Sequence, residues 1–213
     1  MCSLMDKKTK TLLEKGEVLP IMESFYTIQG EGFHKGLASY FIRTGGCDVG
    51  CHWCDVKESW DENEHPLISV ESIVNDCKDI SDVIVITGGE PLMWNMGPLT
   101  KELKKYNKKI HIETSGSDIV TGEWDWFCLS PKKAKLPISE AYDIADELKV
   151  IIYNNHDFVF AEEEAKKVNK NAILYLQPEW GKRVKMMPLM VDFVKKNPKW
   201  KLSLQTHKYL NIP

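Results

Sequence analysis

No stretch of this 213-residue sequence is apolar for long enough to span a bilayer, and residues 1–17, polar and lysine-bearing, hold no apolar segment of the kind that directs export. A soluble, cytoplasmic protein is expected. A surplus of charge of one sign is lacking as well: 28 Lys and Arg against 31 Asp and Glu give a formal net charge of −3. That leaves no electrostatic footprint for nucleic acid or for an anionic membrane, and favours a small-molecule partner. Cysteine is too scarce and too unevenly placed for a disulfide scaffold, since there are six and three of them fall within eight residues. A reduced compartment and a metal site account for the clustering. Internal repeats and low-complexity tracts are absent too. A chain of this length, 43% hydrophobic and 28% charged, suits one domain, 1–213, with residues 1–17 as a polar lead-in.

What the chain does have is alternation. Apolar runs at 21–25, 39–43, 83–87, 110–113, 127–130, 150–153, 173–176 and 202–205 read as short buried strands. Between them, 70–78, 98–106, 140–147, 158–168 and 184–196 show helical apolar spacing, with Ser69, Ser139 and Asp157 as N-caps. In the last helix Met187, Met190, Val191 and Val194 share a face, read as core packing. The acidic, aperiodic segment 57–66 reads as a loop. Strand and helix in turn predict an α/β class with a mainly parallel sheet.

Parallel α/β sheets bind ligands at the carboxyl ends of their strands. Six polar or glycine-bearing stretches fall there: Arg43-Thr-Gly-Gly-Cys47, Thr87-Gly-Gly-Glu-Pro91, Glu113-Thr-Ser-Gly116, Ser130-Pro-Lys132, Gln177-Pro178 and Gln205-Thr-His-Lys208. They point to one shared site.

Cys47-x3-Cys51-x2-Cys54 is spaced tightly enough for one loop, eased by Gly45, Gly46 and Gly50, to curl its thiolates around a metal centre. Zinc is the plainer alternative, but structural zinc takes four protein ligands, and the fourth would be His52, Cys77 or Cys128. His52 adjoins Cys51, Cys77 lies on an expected helix and Cys128 in an expected strand. Three thiolates leave one iron of a four-iron, four-sulfur cluster open, which is what chemistry at the cluster requires.

The cysteine triplet with Trp53 inside it, followed by Gly88-Gly-Glu-Pro91, resembles the radical S-adenosylmethionine (SAM) superfamily. With Thr27-Ile-Gln-Gly-Glu-Gly32, Phe41-Ile-Arg43, Glu113-Thr-Ser-Gly116, Ser130-Pro-Lys132, Leu176-Gln-Pro178 and the stretch from Gln205 to Pro213, the sequence from Phe25 onward is similar to the 7-carboxy-7-deazaguanine synthases within it. The resemblance implies an incomplete (β/α) barrel and a carbon–nitrogen lyase of queuosine or deazapurine biosynthesis. It implies that SAM, held by the open iron, is cleaved to a 5′-deoxyadenosyl radical that takes hydrogen from 6-carboxy-5,6,7,8-tetrahydropterin. Ring contraction then gives 7-carboxy-7-deazaguanine and ammonia, with SAM regenerated.

By the same resemblance the SAM site comprises Trp53, Cys54, Asp55, Gly89, Glu90, Ser115, Ser130, Pro131, Lys132, Gln177, Pro178, Glu179 and Trp180. Gly89 is the favoured contact to the methionine end, and Glu90 a partner for its amino group. The substrate site comprises Ile28, Gln29, Gly30, Glu31, Arg43, Thr87, His207 and Pro213, with Arg43 read as the partner of the substrate carboxylate in preference to a surface ion pair. Pro213 is expected to act through its carboxylate. The family also implies a homodimer and a low-potential reductant such as flavodoxin or ferredoxin. One position departs from the pattern. Where the family places a Ser or Thr hydroxyl that helps hold Mg²⁺ this chain has Val56, which leaves three alternatives open: magnesium absent, weakly held, or supported by other groups such as Glu58 or Ser59. The rival readings are a glycyl-radical activating enzyme, which the 29–32 and 205–213 stretches disfavour, and a non-catalytic metal-binding module, which leaves the strand-end motifs unexplained.

Overall fold

The computed structural model describes residues 6–213. Part of the expected lead-in is helical: Asp6 caps α1 (Lys7–Glu14), its carboxylate accepting from the Lys8 and Thr9 amides at 2.8 and 3.0 Å. Residues 1–5 of that lead-in lie outside the described residues.

After α1 the chain enters β1 (Val18–Ile28), turns back into β2 (Ala38–Thr44), and reaches a short edge strand, β3 (Leu67–Ser69). It then alternates: α2 (Val70–Cys77), β4 (Val83–Gly88), α3 (Gly97–Lys105), β5 (Lys109–Thr114), β6 (Trp126–Leu129), α4 (Ser139–Ile144), β7 (Glu147–Ile152), α5 (His156–Ala165), β8 (Ile173–Pro178), α6 (Arg183–Lys196), β9 (Trp200–Leu202) and α7 (Thr206–Leu210). The strands form one nine-stranded sheet in the order β3-β1-β2-β4-β5-β6-β7-β8-β9. From β2 to β9 every neighbouring pair is parallel, while β1 runs antiparallel to both β2 and β3. The sheet is an incomplete barrel, as expected. Its two ends are joined by side chains and loops, with the Thr206 amide and hydroxyl donating to the Gly30 carbonyl at 3.0 and 2.7 Å, and the Gly32 amide to Ser203 Oγ at 2.9 Å.

The helices cover one face of the sheet, where the apolar core lies. Ile42, Ile84, Ile86 and Ile110 pack against Ile73 and Val74 of α2 and Leu99 and Leu103 of α3. Phe127, Leu129, Leu148, Val150, Ile152 and Leu176 pack against Ala141 of α4, Ala161 of α5, and Met186 and Met190 of α6. Each such buried aliphatic or aromatic side chain contributes roughly 1.5–3 kcal/mol. The opposite, concave face is polar, carrying His111, Glu113, Glu147, Lys149 and Gln177.

Several element boundaries differ from the sequence reading. β7 starts at Glu147, where the preceding helix was expected to end, because Glu147 and Lys149 point to the polar face and interrupt an otherwise apolar run. β9 lies at Trp200–Leu202 rather than 202–205, since the chain leaves the sheet after Leu202 to build α7. Ser69 caps α2 as expected, accepting from the Ser72 amide at 3.2 Å. Ser139 is instead the first helical residue and makes no cap bond, while Asp157 is the second residue of α5 and accepts from the Tyr153 and Asn154 amides at 2.8 and 2.7 Å. On α6 the buried pair is Met186 and Met190; Met187 and Val194 are half-buried and Val191 is exposed. An i, i+4 pair one residue out of phase fits the 3.6-residue period equally well.

Candidate active site

The cysteine loop springs from the carboxyl end of β2 and is tied to the segments beside it largely through backbone. Gly46 and Gly50 adopt φ of 94° and 68°, conformations that L side chains rarely accept. The Gly46 and Cys47 amides donate to the Ser59 and Trp60 carbonyls at 2.7 and 3.1 Å, and the Gly89 and Glu90 amides to the Thr44 and Gly46 carbonyls at 3.1 and 2.9 Å. The Gly-Gly-Glu segment after β4 is thereby laid against the cysteine loop.

Cys47, Cys51 and Cys54 carry free, half-buried thiols and line one cavity of about 380 Å³. Burial pushes the Cys47 and Cys51 thiols up; the Val49 and Gly50 amides oppose this at Cys47, and the Lys132 ammonium opposes it at Cys51. Bound iron would reverse the balance by taking the thiolates directly. None of the three fourth ligands considered for zinc is at hand. Cys77 is buried on α2 and Cys128 in β6, His52 is exposed, and none of them lines the cavity. The donor set thus fits a cluster held by three thiolates.

Every residue assigned from sequence to the cluster, SAM or substrate lines this cavity except Pro131, which is buried. On the cysteine side, Glu90 is 1% exposed and its acceptor directions are taken. Oε1 accepts from the Leu92 amide at 3.0 Å and Thr114 Oγ1 at 2.5 Å, and Oε2 from the Ser115 amide at 2.7 Å and Ser115 Oγ at 2.5 Å. Glu90 therefore holds the two strand ends in register rather than offering a free carboxylate. Lys132 Nζ donates to the Ser130 carbonyl and hydroxyl at 2.5 and 2.7 Å, and burial lowers its pKa. Glu179 closes the 3₁₀ turn at Trp180–Lys182, and Trp180 lies under the Arg183 guanidinium, 3.9 Å from the ring centroid.

The far side is set by charge. Lys149, with a side chain only 4% exposed, donates to Glu31 Oε2 at 2.6 Å and Glu113 Oε2 at 2.7 Å. Burial alone would raise the Glu31 pKa, but the Lys149 ammonium more than reverses it and holds Glu31 at about 2. Burial likewise disfavours the Lys149 ammonium, yet the acidic groups around it keep its pKa well above the ordinary lysine value. Burial pushes His207 down, against the pull of Glu31 and Asp55. Phe25 and Phe41 stack at 5.6 Å between ring centroids. Arg43 lines the cavity and also donates from Nε to Glu23 Oε1 at 2.7 Å, so the ion pair set aside in the sequence reading is present beside its exposure to the site. Pro213 reaches the cavity with its carbonyl near Thr27 Oγ1, at 3.3 Å.

Comparison with known proteins agrees with this arrangement. Residues 41–136 match the Radical SAM superfamily. The chain is 64% identical over 210 residues to the 7-carboxy-7-deazaguanine synthase of Flavobacterium psychrophilum, covering 99% of this chain and all of that protein. It is 46% identical to the synthase of Synechocystis sp., over 91% of this chain and 93% of that one. The chain belongs to the 7-carboxy-7-deazaguanine synthase family. The crystal structure of QueE from Escherichia coli superposes with a TM-score of 0.79 at 27% identity, covering 93% of this chain and 99% of that one. As a radical SAM protein of this family, the chain uses a [4Fe–4S] cluster and SAM, with Cys47, Cys51 and Cys54 as the candidate ligands. No helix among the described residues is long and apolar enough to cross a membrane.

Magnesium fits less well than the cluster. Val56 lines the cavity but has no oxygen in its side chain. Ser59 is 1% exposed with its hydroxyl turned onto the Val56 carbonyl at 2.7 Å, and Glu58 is exposed; neither lines the cavity. The adjacent carboxylate, Asp55, accepts from Lys208 Nζ at 2.6 Å and Gln205 Nε2 at 3.3 Å, so a cation already faces it. The two residues offered as substitutes from sequence are thus not in place.

Other lining residues went unassigned from sequence, chiefly Glu113, Lys149, Gln205, Lys208 and the Phe25–Phe41 pair. The available signal was a charge at an alternate position of an apolar strand, as in Lys-Ile-His-Ile-Glu and Glu-Leu-Lys-Val-Ile.

Proposed function

We propose that the protein converts 6-carboxy-5,6,7,8-tetrahydropterin to 7-carboxy-7-deazaguanine with release of ammonia, as a radical SAM lyase of queuosine or deazapurine biosynthesis. The observation that carries this is the sharing of one cavity by three free thiols and by the Gln29–Glu31–Glu113–Lys149 group, a cluster site facing a polar ligand site. The named activities of the relatives support the same chemistry.

The bound cluster supplies the electron that cleaves SAM reductively. The protein's own residues hold and shield the reactants. Cys47, Cys51 and Cys54 would hold the cluster, whose remaining iron would be free to take SAM. Gly89, lacking a Cβ, lets the β4 end lie against the cysteine loop at the methionine end of SAM, while Glu90 fixes Ser115 beside it. Trp53, Ser130, Lys132, Gln177, Pro178, Glu179 and Trp180 surround the nucleoside end. Gln29, Gly30 and Glu31, with Ile28 and Thr87, receive the pterin, whose ring N–H groups are matched by carboxylate acceptors. Arg43, His207 and Pro213 complete that end. Magnesium has no place in this assignment, because its family position is Val56. A cytoplasmic single domain, a homodimer and a flavodoxin- or ferredoxin-type reductant go with this function by family resemblance.

The test is anaerobic reconstitution of the cluster, reduction, and addition of SAM and the tetrahydropterin. A SAM-induced change in the electron paramagnetic resonance signal and formation of the deazaguanine are expected. A spectral change with no pterin consumed would instead favour a glycyl-radical activating role, and no change would remove both.

A further inference from the structure

Lys149 belongs to none of the sequence motifs, yet it sits at the centre of the polar wall. Alternation along β7 sends Leu148, Val150 and Ile152 into the apolar core and Lys149 into the cavity. An ammonium with a side chain 4% exposed is expensive to bury unless paired, and here one ammonium brackets two carboxylates, at 2.6 Å to Glu31 and 2.7 Å to Glu113. Gln29 closes the ring, its Nε2 donating to Glu113 Oε1 at 3.4 Å and its Oε1 accepting from the Glu31 amide at 3.1 Å. The turn after β1, the end of β5 and the middle of β7 are locked together, and the Glu–Lys–Glu trio presents one net negative charge to the cavity.

We infer that Lys149 is a positioning residue for the substrate proposed above: by hydrogen-bonding Glu31 and Glu113 side by side, it presents paired acceptors to the N–H-rich edge of the reduced pterin. Without the ammonium, two like charges would lie close together in a buried wall, and one carboxyl takes up a proton. That carboxyl then offers an O–H where the pterin also offers N–H, and the match is lost. The titratable groups facing the trio are Cys128 from β6, Lys132 from the loop beyond it, Glu147 from β7, His34 from the β1–β2 turn, Asp55 from the cysteine loop and His207 from α7. Of these and Lys149, Lys149 is the one that hydrogen-bonds both carboxylates.

The test is anaerobic kinetics of reconstituted Lys149→Met across pH, with SAM affinity measured in parallel. KM for the tetrahydropterin is expected to rise roughly 30-fold or more while kcat changes less than about fivefold. The log of kcat/KM should gain a limb that rises with pH as the extra proton leaves, absent from the wild type, and SAM Kd should stay within about threefold. A folded variant with the wild-type KM, or a raised KM with a flat pH profile, overturns the assignment. If Lys149→Met does not fold, Lys149→Gln, which retains a donor for one carboxylate, carries the same two outcomes. A wild-type protein that responds to SAM but leaves the pterin unchanged refutes the proposed function alone; equilibrium pterin binding to wild type and variant then decides the role of Lys149.

Discussion

A Cβ placed on Gly89 would lie 2.7 Å from the Cβ of Cys47 and 2.2 Å from the Gly46 carbonyl oxygen. Both obstacles belong to the cysteine loop, and one of them is backbone, so no rotamer change relieves the contact. Gly89→Ala is expected to push the loop outward, leaving less than about half of the wild-type iron per chain or abolishing the SAM-induced spectral change. Wild-type iron with a wild-type response to SAM would show that the close approach is dispensable.

Three thiolates at the cavity, with Cys77 and Cys128 away from it, imply a definite pattern of iron loss. Cys51→Ala should lose the cluster, whereas Cys77→Ala, buried on α2, should keep full iron and lose about 1 kcal/mol of stability. Iron analysis after anaerobic reconstitution measures this, and loss of iron from the Cys77 variant would reinstate a fourth protein ligand.

With Val56 in the family's magnesium position and Lys208 facing Asp55, turnover should change less than about twofold between chelator and millimolar Mg²⁺. Val56→Thr should introduce a stimulation by Mg²⁺ that the wild type lacks. A steep dependence in the wild-type protein would mean that another oxygen in the cavity supports the ion.

His111 lies on the polar face of β5, its ring 4.4 Å from that of His34 and tilted by 35°, and burial followed by that neighbour pushes its pKa down to about 4. In the unfolded chain it titrates near 6.5. Between those values the unfolded state binds the additional proton, so stability falls as pH is lowered through that window. Denaturant unfolding at about pH 7 and about pH 5 should show His111→Phe losing roughly 2 kcal/mol less than wild type over the interval. Equal losses would assign the acid sensitivity to other groups.

The strand-end motifs were legible in the sequence because a glycine, a charge or an amide directly after an apolar run has few purely structural uses. Gly89, Arg43 and Gln177 were found in that way, and all line the cavity. Lys149 was not, because Glu-Leu-Lys at the head of an apolar run reads as a helix terminus until the sheet register turns two charges toward one face. Glu113 stood in a strand-end motif, but its role depends on Lys149, a contact 36 residues away. α1 was hidden for another reason. Its start rests on a single aspartate cap, and none of its residues is buried, so it leaves little hydrophobic pattern to read.

The separation of apolar and polar residues onto opposite faces of one sheet divides the strands into two position sets with different tolerances. In β5 and β7 the even-numbered Ile110, Ile112, Leu148, Val150 and Ile152 maintain the fold, while the odd-numbered Glu113, Lys149 and Ile151 line the cavity and His111 lies on the same polar face. The odd set can be exchanged for other chemistry while the helix-covered layer keeps its packing, so substrate preference is open to redesign at positions that contribute little to the apolar core. The same arrangement makes a one-residue deletion within either strand far more harmful than any substitution there, since it would send aliphatic side chains into the site and charges under the helices.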